Sequence, residues 1–155
     1  MLVTNHVLSG ALIGTAVRGP LPAFALGVLS HFALDAVPHW GDWADPMFLQ
    51  VAVLDGLAGL AAIGIVAAAT PPERRSTVLA GMAGAAMPDL DKPAELWFGR
   101  SPWPGAVNRF HSAIQDEATD RFGREMLTMA VFAAASLAAI RRRAGRRGPP
   151  GRLCH

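Results

Sequence analysis

Long apolar stretches, each cut short by proline or by arginines, constrain this chain more than any other feature. Five are present. Residues 7–17 stop at Arg18-Gly19-Pro20, residues 22–37 at Pro38, residues 47–70 at Pro71-Pro72 and residues 76–87 at Pro88, while residues 125–140 run into an arginine cluster. Proline has no N–H and its ring clashes with the preceding turn, so these stops mark helix ends better than periodicity does. The stretches are rich in Ala and Gly, poor in β-branched and aromatic residues, and too long for strands. The expectation is an all-α chain, a bundle of about five apolar helices. At 155 residues it forms one domain, residues 1–140, followed by a basic, disordered tail at 141–155.

Hydrophobic residues make up 52% of the chain and charged residues 17%, which suits a membrane-embedded bundle. Only residues 47–70 reach the ~20 residues that cross a bilayer comfortably. The first and fourth stretches are short, and a soluble bundle with a polar layer is the competing arrangement. Charge distribution separates the two. If the chain crosses at each stretch, Arg18, Glu73-Arg74-Arg75 and the arginines from 141 onward share one side. Six of the fourteen basic residues fall in the last fifteen positions. All four tryptophans, Trp40, Trp43, Trp97 and Trp103, fall on the other side, as an interfacial belt would. The positive-inside rule makes the arginine side cytoplasmic, with the tail on anionic lipid rather than nucleic acid. The expected arrangement is therefore a membrane protein with its arginine tail in the cytoplasm and the polar end on the other side. Cys154 is the only cysteine, which excludes a disulfide within the chain and a multi-cysteine zinc site.

The chain also repeats itself. Residues 28–39 align with residues 78–89, and His6-Val-Leu-Ser-Gly aligns with Asp55-Gly-Leu-Ala-Gly. The expectation is a duplicated helical hairpin, halves 5–40 and 54–90, followed by a fifth helix. The alignment sets His6 on Asp55 and His39 on Asp89, one ligand-type residue on another. Between the fourth and fifth stretches, residues 91–105 read as an irregular loop. Ser112 with Gln115 three residues later resembles a capping box, and it predicts a short amphipathic surface helix over 112–124.

Chemistry-bearing residues are few and clustered. His31, Asp35 and His39 are four apart, a spacing that sets the first two on one helical face and lets imidazole and carboxylate converge on one ion. Uncompensated burial of such groups is costly, which favours a site over coincidence. Asp55 stands alone in the longest apolar stretch, Asp89 and Asp91 end the fourth, and His6 and His111 open polar turns. In an up-down bundle all of these lie at one end. The metal-ligand set expected is His6, His31, Asp35, His39, Asp55, Asp89 and His111, enough for two or three zinc-like divalent ions. Asp91 is then left to orient water or act as general base, and Asp116 or Glu117 can approach. GxSxG, Walker A, GxGxxG, CxxC and HExxH patterns are all absent from the sequence.

Asn5-His6 with Gly10 and Gly14, the run Gly-Ala-Ala-Met-Pro-Asp-Leu-Asp over 84–91, and Arg109-Phe110-His111-Ser112 resemble the bacterial membrane-bound, metal-dependent hydrolase family. That family is itself distantly similar to zinc-dependent phospholipase C and nuclease P1. The resemblance covers most of the chain before the arginines, although Val107-Asn108-Arg109 stand where the family commonly carries a His-Arg pair. It implies hydrolysis of a phosphoester, such as a phospholipid, by metal-activated water. The alternative from another class is a non-catalytic membrane protein that binds or transports metal through the same cluster.

Overall fold

The computed structural model describes residues 1–41 and 45–145. These residues are all-helical: α1 (Val3–Ala16), α2 (Pro20–Asp35), α3 (Phe48–Ala69), α4 (Pro72–Ala86), a 3-10 turn (Met87–Leu90), α5 (Asp91–Phe98), α6 (Gly105–Ile114), a second 3-10 turn (Thr119–Arg121) and α7 (Phe122–Gly145). The proline stops work as starts as well. Pro20 and Pro72 occupy the first turns of α2 and α4, where the missing N–H costs nothing, so both helices begin earlier than their apolar stretches.

Helix α4 lies against both α1 and α2, while α3 and α7 flank α1. Glycine allows the close approach. A Cβ at Gly10 would enter the backbone of Gly81, and one at Gly84 would enter the backbone of Phe24. Small residues at such spacing let helix backbones touch, as in membrane bundles. The apolar core around Val7, Ala11, Val66, Val78, Met82 and Ile140 sits beside this contact.

The far end of the bundle is held by arginine. The Arg74 guanidinium donates to the carbonyls of Gly14, Thr15 and Val17 at 3.0, 3.1 and 2.6 Å, closing the C-terminus of α1. Arg75 does the same for α3 through Ala67 at 2.9 Å. Arg74, Arg142 and Arg143 line one cavity of about 660 Å³ there, which gathers much of the charge that the sequence sorted to this side.

Two helical segments, Phe48–Ala69 and Thr119–Arg143, are long and apolar enough to cross a membrane. The bundle of five apolar helices reduces to these two by that measure, because α1, α2 and α4 hold only 14, 16 and 15 residues. Large apolar side chains on α3 stay uncovered, among them Leu54, Leu57 and Leu60.

Other expectations are corrected. Residues 91–98 are helical, not an irregular loop, and Gly99 ends α5 in the left-handed region at φ 68°. Ser112 lies inside the last turn of α6 rather than at a helix start, because α6 is already running from Gly105. The segment after it is extended and pairs with His39, whose N–H donates to the Asp116 carbonyl and whose carbonyl accepts from the Ala118 N–H. The basic tail begins as helix, since α7 continues to Gly145; positions 146–155 lie outside the described residues. Among the tryptophans, Trp40 is buried against Phe48 and Phe122, so it does not join an exposed belt. Trp97 is exposed, Trp103 donates its indole N–H to Pro88, and Trp43 lies outside the described residues.

Candidate metal centre

The N-terminus of α1 is buried, and its free N–H groups meet carboxylates from two other helices. Asp55 on α3 accepts from Val3 and Thr4 at 2.5 and 3.3 Å. Glu125 on α7 accepts from the Leu2 N–H at 3.1 Å, the Asn5 amide at 2.6 Å and the Trp40 N–H at 3.3 Å. Anionic groups favour a helix N-terminus because four N–H donors lack partners there. This double anchorage fixes the turn that carries His6.

His6 then faces α2. Its Nε2 lies 3.0 Å from Asp35 Oδ1, and its ring stacks on His31 with centroids 4.0 Å apart. His31 and Asp35, one turn apart on α2, bring Nε2 and Oδ2 to 3.1 Å. His111, from the last turn of α6, places its Nε2 2.9 Å from the same Asp35 oxygen and 3.1 Å from His31 Nε2. Asp89, on the 3-10 turn that Pro88 introduces, stands 3.9 to 4.0 Å from all three Nε2 atoms. His31, Asp35, Asp89 and His111 each offer a ligand atom within 4.8 Å of the others, a group that can hold a metal ion. The Met1 ammonium also contacts Asp35 Oδ1 at 2.8 Å.

Second contacts aim these rings. His31 Nδ1 is 2.8 Å from the Ala85 carbonyl, so Nδ1 carries the proton and Nε2 is left as a ligand. His111 Nδ1 pairs with Asp91 Oδ2 at 3.0 Å in the carboxylate–histidine arrangement that orients metal-binding imidazoles. His6 is fully buried, yet neither ring nitrogen has a partner in hydrogen-bond geometry. The imidazoles of His31 and His111 with the carboxylates of Asp35 and Asp89 are a nitrogen and oxygen donor set of the kind that holds metal ions.

Charges around the cluster are strongly coupled. Burial pushes the Asp89 carboxyl up, but the Lys92 ammonium at 2.9 Å and the neighbouring histidines outweigh it and hold the group well below the carboxylate range. Burial likewise works against the Lys92 charge, and the Asp89 pair more than restores it. His111 is lowered by burial, yet hydrogen bonds to Asp35 and Asp91 prevail and push it up to about 9.

Of the residues expected as ligands, the structure brings together His6, His31, Asp35, Asp89 and His111. It does not bring in His39 or Asp55. The helix of His31 and Asp35 ends at the Ala36 cap, and His39 beyond Pro38 turns to Glu117, 3.6 Å away, with its Nδ1 on the Val37 carbonyl. Asp55 is taken up by the N-terminus of α1. Asp91, the expected general base, is bonded to the outer nitrogen of His111. Lys92 and Glu125 were not singled out from the sequence. Lys92 had a signal, its position three after Asp89; Glu125 had none, because its partners, the Leu2 and Trp40 N–H groups and the Asn5 amide, are distant in the sequence. Comparison of the chain with protein-family models, with curated protein sequences and with solved structures finds no match.

Proposed function

We propose that this chain is a membrane-bound, zinc-dependent hydrolase of a phosphoester. The convergence of three histidine Nε2 atoms on the Asp35 carboxylate carries this reading, with Asp89 completing the donor set. A divalent cation held by such a set supplies Lewis acidity and lowers the pKa of bound water toward neutrality. The chain's own residues do the rest. Asp35 lies closest to the three imidazoles and holds them together. Asp91 and the Ala85 carbonyl fix the tautomers of His111 and His31, so both present Nε2 inward. Lys92, beside Asp89, supplies positive charge for a phosphoryl oxygen. Two apolar helices and an arginine-lined opposite end support an inner-membrane setting, with the centre on the non-cytoplasmic side and the tail on anionic lipid.

Metal analysis of detergent-purified protein, run beside hydrolysis of bis(4-nitrophenyl) phosphate, tests the proposal. Zinc at one or more per chain and zinc-dependent turnover are expected, and His31→Ala and Asp89→Asn should lose both. Protein without bound metal would sink it. Bound metal without turnover on any phosphoester would favour the binding or transport reading instead.

A further inference from the structure

A cleft of about 430 Å³ opens between α3 and α5, within the size range of small-ligand sites. Its walls are apolar: Val53, Leu57 and Leu60 from α3, Leu96 and Trp97 from α5. These side chains are largely uncovered, Leu57 at 60% and Trp97 at 72% exposure. The polar lining includes Asp89, Lys92 and Glu117. Asp89 belongs to this lining and to the cation-binding group alike, so the cleft and the candidate centre are continuous.

We infer that this cleft holds one hydrocarbon chain of a lipid-linked phosphoester and delivers its headgroup to Asp89 and Lys92. The inference rests on the hydrolase reading and deepens it by naming the substrate class. Three observations select this occupant. The apolar wall is built from α3, the more hydrophobic of the two candidate membrane spans, so a chain reaches it sideways from the bilayer. A water-soluble phosphoester would leave this wall uncovered. Asp55 also lines the cleft, but its carboxylate is taken by the Val3 and Thr4 N–H groups, which leaves Lys92, beside Asp89, as the side-chain cation of the lining that can meet a phosphate oxygen.

Gly56 gives a clean test, because it lines the cleft and a Cβ there meets nothing within 4 Å. Gly64, on the same helix but outside the lining, is equally open and serves as the control. The full-length, zinc-loaded protein in amphipol is titrated with dodecyl phosphate, methyl phosphate and inorganic phosphate. Dodecyl phosphate should bind at least about a hundredfold more tightly than methyl phosphate, since burial of each methylene is favourable. Gly56→Trp should remove at least about tenfold of that advantage, with zinc content retained, and Gly64→Trp should remove none.

Equal binding of the three probes would overturn the inference. So would loss of the advantage in neither variant or in both, or a cleft closed in solution by a second copy of the chain. Its failure is separable from failure of the hydrolase reading. Chain-dependent binding by protein that hydrolyses nothing leaves the cleft standing without the enzyme. Turnover of bis(4-nitrophenyl) phosphate without chain dependence does the reverse.

Discussion

Asp91 shows how much a single side chain at this centre is settled by its partner rather than by its type. Its hydrogen bond to His111 Nδ1 makes it a positioning residue, which acts by fixing the ring whose other nitrogen faces Asp35 and Asp89. Asp91→Asn should therefore keep the metal stoichiometry and weaken zinc affinity about 10- to 100-fold, read by competition with a chelator. Asp35→Asn should abolish binding, since all three imidazoles meet that carboxylate. Asp55→Ala should behave differently again. It removes the cap of α1 and should cost about 1 kcal/mol of stability in thermal unfolding, with zinc stoichiometry unchanged. A loss of zinc in folded Asp55→Ala protein would return Asp55 to the ligand set. The spacing of His31 and Asp35 was legible in the sequence because α-helix geometry fixes which residues share a face. His39 was not, because beyond Pro38 no such geometry applies. The aligned pairs His6/Asp55 and His39/Asp89 each contribute one member to the cluster, and the other member caps α1 or meets Glu117.

Among the elements, the contact of α2 with α4 is where packing and chemistry meet. Gly84 touches the backbone of Phe24, and the next residue, Ala85, provides the carbonyl that holds His31. Gly84→Ala has only backbone to push against, so a loss of about 1–3 kcal/mol is expected, together with weaker zinc binding as α2 moves off Ala85. Gly64→Ala, in open space on α3, should be neutral or slightly stabilising. The extended pairing of His39 with residues 116–118 invites a pH measurement. The His39 imidazole, its Nε2 3.6 Å away, holds the Glu117 carboxyl below its ordinary value. A carboxyl with a depressed folded-state pKa adds stability above its unfolded pKa, and that stability fades as pH falls through the folded value. Hydrogen exchange at the His39 and Ala118 amides should thus accelerate on acidification below about pH 4.5, beyond the intrinsic pH trend, and Glu117→Gln should remove that dependence. The proline stops made the apolar helices legible. The 91–124 region was not, because α5 and α6 are short and hold residues that read equally well as loop, and nothing local signals that Ser112 already lies within a helix.

At the scale of the whole molecule, the two ends of the bundle differ in kind. One gathers buried imidazoles and carboxylates; the other gathers Arg74, Arg75, Arg142 and Arg143 around the C-termini of α1 and α3. Helix α3, with 22 residues, extends about 33 Å, close to the ~30 Å hydrocarbon core. Its uncovered leucines are costly in water and unremarkable in lipid. If this polarity reports orientation, a membrane-impermeant maleimide applied to intact cells should label Ser101→Cys, which lies between α5 and α6 near the centre, in a Cys154→Ser background. Cys154 itself, beyond the arginines, should react only after the membrane is opened. The protein should also stay in the membrane pellet through an alkaline carbonate wash and leave it only with detergent. Labelling of both cysteines in opened cells but of Cys154 alone in intact cells would reverse the orientation and leave the centre's geometry untouched. Release by carbonate would remove the bilayer from the account altogether. The uncovered face of α3 would then need another chain to cover it, and a second copy seated on the cleft would exclude the lipid chain proposed for it.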